Sequence, residues 1–218
     1  MINRTIITKL LPISVLLFLL GTACKDQNSN KIQFPENDVV EAIKATQAIT
    51  NQDTLLVAYT YWWPEAGPFI GNCPQPYSLA FIGTVSNIEE PKAKNTEQPY
   101  ISQWGTVSID EILDKRTLEN EHYHEEAYVA FDCFSEANLT QDDRVLVFIY
   151  EYEGGYVIPG NKSMLKISGE NDPKVASIKT FIASNYDPLV IEKDLNLWQT
   201  AGQGDALKQF IDCKRSMQ

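Results

Sequence analysis

Apolar residues run from Leu10 to Leu20, interrupted only by Pro12 and Ser14, and the pattern turns polar after Cys24. Farther on, Val39, Val40, Ile43 and Gln47 recur at a loose helical spacing behind Pro35 and an acidic cap, which predicts a short helix over 36–50. Residues 54–63, TLLVAYTYWW, are rich in β-formers and stop at Pro64, so they predict a strand. Residues 64–78 hold Pro64, Gly67, Pro68, Gly71, Pro74 and Pro76 and read as a long loop. A second strand follows over 79–88, with Gly83 in its interior where a bulge or bend is expected. Val107 and Ile109 alternate with Thr106 and Ser108, so 104–113 predicts a half-exposed strand, and 127–133 another. The most apolar segment, 144–152, reads as a central strand. Gly154 and Gly155 then reverse the chain into 156–167. Two helices close the pattern. Asp172-Pro173 opens one carrying Val175, Ile178, Phe181 and Ile182, and Asp205 opens the other with Leu207, Phe210 and Ile211.

Five consecutive strands, a glycine bend and flanking helices predict a mainly β, α+β fold. Its centre is a small five-stranded OB-like barrel at about 73–167. The helix and strand before it and the helices after it would belong to the same globular domain, 34–218.

The first residues read differently. Arg4 and Lys9 precede the apolar run, whose 11 residues fall short of the roughly 20 needed to span a bilayer. A charged start, a short apolar centre and small residues before a cut are the parts of a secretory signal, here 1–23. The segment Leu20-Gly21-Thr22-Ala23-Cys24 resembles the lipobox of bacterial lipoproteins. That resemblance implies diacylglycerol and palmitate-type acylation at Cys24, and hence a membrane anchor in the cell envelope. Lys25 follows the cysteine, so the usual inner-membrane retention signal is missing and the outer membrane is expected. Residues 25–33 would be a flexible tether.

Charge narrows the partners. The chain has 18 basic and 29 acidic side chains, a net charge of −11, and without residues 1–23 the balance is 16 − 29 = −13. A chain this acidic is a poor partner for nucleic acid. No cofactor motif, phosphate loop or Gly-x-Ser-x-Gly occurs.

Beyond Cys24 there are Cys73, Cys133 and Cys213, enough for one disulfide in an oxidising compartment. Cys73–Cys133 is the favoured pair and Cys73–Cys213 the rival. The run Ala80-Phe81-Ile82-Gly83-Thr84-Val85, with Cys73, Val107 through Lys115, Cys133, Leu139 and Val145-Leu146-Val147-Phe148, resembles the inhibitory domain of tissue inhibitors of metalloproteinases and the netrin-like modules. The resemblance implies the barrel and a protease-inhibitor role. The family's zinc-chelating terminal cysteine has no counterpart, because Cys73 is internal and precedes Pro74-Gln75-Pro76.

Two groups of side chains could carry function. His122 and His124 alternate beside Glu125 and Glu126, and on an extended segment both imidazoles could reach one metal ion, as a metal-dependent enzyme would require. Tyr59, Tyr61 and Trp63 alternate along one strand with Trp62 opposed, and Tyr150, Tyr152 and Tyr156 surround the hairpin. Core packing accounts for most of these rings. Trp62 and Trp63 point in opposite directions, so one of them is a candidate for exposure, and if both aromatic groups were exposed together they would form a binding surface. The expected function is a noncatalytic envelope lipoprotein that binds a protein or polysaccharide partner.

Overall fold

The computed structural model describes residues 53–218 apart from 72, 74–76, 95–98, 119–122 and 136, all within the unit Ala48–Gln218. The signal segment, Cys24, the tether, the expected helix at 36–50 and His122 lie outside the described residues.

Among the described residues seven strands form one sheet: β1 (Thr54–Tyr59), β2 (Leu79–Ile88), β3 (Gly105–Lys115), β4 (Tyr128–Phe131), β5 (Arg144–Tyr152), β6 (Gly155–Ile158) and β7 (Met164–Lys166). Their order is β2-β3-β4-β1-β6-β5-β7, and a further pairing of β2 with β5 closes six of them into a barrel. The barrel therefore has one strand more than the five expected. The additional strand is β1, which was expected beside the barrel. It runs parallel to β4 from Thr54 to Val57, and its last two residues pair with Val157 and Ile158 of β6. The expected return strand is broken in two. Pro159 and Gly160 interrupt it, with Gly160 at φ 138°, and β7 resumes on β5 after a 3-10 turn at Asn161–Ser163.

Alternation along β2 and β5 builds two cores. Leu79, Phe81 and Val85 of β2 and Val145, Val147 and Ile149 of β5 point into the barrel. Ala80 and Ile82, with Leu146, Phe148 and Tyr150, face a helical layer on the outside. Gly83 lies where the register with β3 slips, as its interior position suggested. A Cβ there would run into the Ser108 carbonyl oxygen and the Val107 side chain.

The helical layer contains α1 (Pro173–Ala183), α2 (Leu195–Thr200) and α3 (Gly204–Ser216). Asp172 caps α1, accepting the Lys174 N–H at 2.9 Å, with Pro173 in the first turn. Val175, Ile178 and Phe181 then face the sheet. Helix α3 starts one residue before Asp205 and buries Leu207, Phe210 and Ile211. A 3-10 segment at Pro188–Asp194 and α2 connect these two helices, and α2 delivers the fully buried Trp198. No helix among the described residues is long and apolar enough to cross a membrane.

The disulfide joins Cys73 to Cys213, with Cα atoms 5.6 Å apart, and Cys133 is a buried free thiol. This corrects the favoured Cys73–Cys133 pair. The reason is that the two cores are separate. Cys133 sits in the barrel-side cluster, whereas Phe69 and Ile70 draw the 60–78 loop onto the helical layer, where α3 ends.

Candidate functional site

The polypeptide leaves β1 through a tight turn. Thr60 donates its N–H to the Ile158 carbonyl at 3.1 Å, and Trp63 donates its N–H to the Thr60 carbonyl at 3.0 Å. The strand expected to reach residue 63 thus ends at Tyr59, and Tyr61 and Trp62 occupy the two corners of the turn. Corner side chains lack the cover of neighbouring strands. Tyr61 is 42% exposed and Trp62 45%. On the adjoining hairpin, Glu153 at φ 51° and Gly154 at φ 83° make the reversal, and Tyr152 beside it is 44% exposed.

The rings of the two segments meet. Trp62 contacts Tyr152 edge-on at 6.3 Å, and Trp63 lies 6.2 Å from Tyr152 and 6.3 Å from Tyr150. Tyr61 touches Trp62 at 5.1 Å and stacks on Tyr100 at 5.0 Å, while Tyr59 meets Tyr100 edge-on at 4.9 Å. Of the seven rings named from the sequence, Tyr59, Tyr61, Trp62, Trp63 and Tyr152 belong to this ring cluster, whereas Tyr150 and Tyr156 are buried. Tyr100 was not foreseen, because it lies in a polar loop where no periodicity singles it out. Its hydroxyl donates to Asp132 at 3.1 Å. Burial pushes the Asp132 carboxyl above its ordinary pKa, against hydrogen bonds from Ser102, Tyr100 and the Gln103 backbone.

A cleft of about 600 Å³ opens beside the rings, and Tyr59, Tyr61, Trp63 and Tyr100 are among its lining residues. The size falls within the range of about 300–1,000 Å³ common for ligand sites. Polar side chains also line the cleft. Asn161 and Ser135 line it, and the Asn161 amide donates to the Ser135 carbonyl at 3.4 Å. Gln203, buried at the start of α3, contributes another amide, and Gln209 stands farther along that helix. Glu65 and Asp205 supply two negative charges to the lining and Lys94 and Lys162 two positive ones.

Gly67, between the lining residues Ala66 and Phe69, is fixed by two hydrogen bonds. Gly67 donates its N–H to Ser163 Oγ at 3.0 Å, and its carbonyl accepts the Tyr150 hydroxyl at 2.8 Å. Gly67 has φ 110°, and a Cβ on it would collide with the Gln203 amide, so glycine is required twice over. Glu65 accepts the Gly71 N–H.

Cys133 also lines the cleft. Burial, reinforced by the neighbouring Asp132, pushes its thiol well above the ordinary value, so it stays protonated at neutral pH and is a weak nucleophile. At the other candidate site His124 is exposed, and its backbone N–H donates to the Glu126 carboxylate at 2.7 Å. Among the described residues no group of three or more His, Cys, Asp or Glu side chains is placed to hold a metal ion. No protein-family model matches this chain, and no curated protein matches it.

Proposed function

We propose that the chain is a lipid-anchored envelope protein whose barrel, of OB-like or netrin-like kind, is a noncatalytic binding module. The observation that carries this reading is the joint exposure of Tyr61, Trp62 and Tyr152 beside the cleft. Three large rings left in water forgo burial that a monomer's core would use, and a contiguous exposed apolar patch is a common mark of an interaction site. The short apolar run ending at Cys24 supports the anchor. A closed barrel with a slipped glycine position in β2 is compatible with the netrin-like resemblance.

The test uses the mature chain from residue 24 with Cys24→Ser, which carries no lipid, mixed with envelopes isolated from the bacterium that makes it. The chain should sediment with them saturably, and Trp62→Ala should weaken this by about tenfold, as loss of an aromatic anchor commonly does. Equal sedimentation of both chains would overturn the binding reading. In the native chain, mass spectrometry should find acyl groups on Cys24.

A further inference from the structure

We infer that the cleft and its aromatic rim bind a neutral glycan chain. This rests on the binding reading above and names its ligand class.

The first ground is chemical pairing. A sugar ring presents a face of weakly positive C–H groups and an edge of hydroxyls. The faces suit aromatic rings, whose π-systems are negative, and the edges suit planar amides and carboxylates that accept and donate together. Both sets occur here in the lining of one cleft. Tyr61 and Tyr100 stack beside the cleft, and Asn161, Gln203 and Gln209 line it with Glu65 and Asp205. A site for an apolar peptide segment would not need so many amides.

The second ground is shape. Tyr61 and Trp63 line the cleft, while Trp62 and Tyr152 extend the same ring cluster beyond its lining. One continuous surface therefore serves a part held within the cleft and a part lying across the rim. This suits an extended polymer better than a compact metabolite. Gln203 is only 2% exposed and packs against Gly67, so this part of the wall is built before any ligand arrives.

Charge selects among glycans. The two lysines and two carboxylates of the lining cancel, and the whole chain carries −11. A uronic-acid or sulfated polymer would be repelled at long range and gain no net attraction in the cleft. A neutral chain escapes both penalties.

The envelope experiment is repeated on material digested with protease or oxidised with periodate. Trp62-dependent binding should survive the protease and disappear after periodate. Calorimetry with cellohexaose, mannohexaose and chitohexaose should show binding to at least one. Gln203→Ala or Tyr61→Ala should weaken that binding about tenfold or more, and polygalacturonate should give no heat. Binding lost after protease and kept after periodate would overturn the glycan inference while leaving the binding module intact. So would failure of all three neutral oligosaccharides or preference for polygalacturonate. Sedimentation independent of Trp62 in every preparation would overturn both. Circular dichroism and an unchanged melting point establish that each variant is folded, and Tyr61→Phe, which keeps the ring, should retain binding.

Discussion

The molecule holds two aromatic clusters that differ in what lies over them. In the helical layer Phe69 meets Trp198, Phe210 and Phe181 edge-on, with centroids 5.0, 5.8 and 5.9 Å apart, and all four rings are buried. At the cleft, Tyr61, Trp62, Tyr100 and Tyr152 make contacts of the same kind and similar length, yet Tyr61, Trp62 and Tyr152 are exposed. Ring geometry alone therefore does not separate core from surface. The difference is in support: the first group is packed between sheet and helices, and the exposed rings of the second stand on a turn and a hairpin tip. Of those four buried rings, three are Phe and Trp198 Nε1 donates to Ser177 at 2.9 Å, and Tyr77, also buried, meets Phe181 edge-on at 6.3 Å. The exposed cluster is mostly Tyr, whose hydroxyl tolerates water.

The disulfide provides the largest test of this contrast. It fastens the loop that carries Phe69 to the helix that carries Phe210, across 140 residues of sequence. Chain entropy then sets an upper stabilisation of about 5 kcal/mol. Cys213→Ser should lower the urea midpoint strongly, and wild-type protein treated with reductant should behave alike. Next in size, Phe69→Ala should cost about 3–5 kcal/mol by cavity formation in the buried cluster, measured by the same unfolding curves.

Two carboxylates give smaller effects of opposite sign with pH. Burial raises the Asp172 carboxyl, but hydrogen bonds from the Ser168 and Lys174 backbones and the Lys174 ammonium outweigh it, leaving the pKa below the ordinary value. Its stabilisation is present above the ordinary carboxylate pKa and is lost as pH falls through the folded value. Asp172→Ala should cost about 1 kcal/mol at neutral pH as a lost helix cap, and less in acid. Asp132, under Tyr100, has a raised pKa, so the fold loses stability as pH rises from the ordinary carboxylate value through the folded one. Asp132→Asn should flatten that slope in unfolding free energy measured across the acid range. The smallest stability effect belongs to the rim. Trp62→Ala should shift stability by no more than about 0.5 kcal/mol.

The sequence pattern revealed the periodic parts of this molecule. Strands β2 and β5 lie where alternation and apolar content placed them, and α1 carries its cap and its Val175, Ile178 and Phe181 face as expected. The misses have a common cause, which is that they depend on packing between distant segments. Closure of the barrel by β1 needs β4 and β6 on either side of it. The Cys73–Cys213 pair depends on Phe69 entering the helical layer. Helix α2, only six residues long with no side-chain cap bond, carries too short a pattern to read. The five aromatic site residues were legible as a group, but their meeting was not, because it requires the turn at Thr60–Trp63 to abut the hairpin. Tyr100 was invisible because no periodicity in its polar loop singles it out, and the gathering of Asn161, Gln203 and Gln209 around one cleft depends on packing between distant segments.

The most direct test of the central claim compares one double variant, Trp62→Ala with Tyr152→Ala, against Phe69→Ala, each measured for urea unfolding and for sedimentation with isolated envelopes. The account predicts that the double variant unfolds at the wild-type midpoint and no longer sediments, while Phe69→Ala loses stability. A double variant that unfolds as early as Phe69→Ala, or that sediments like the wild type, would contradict the assignment of the exposed cluster to binding.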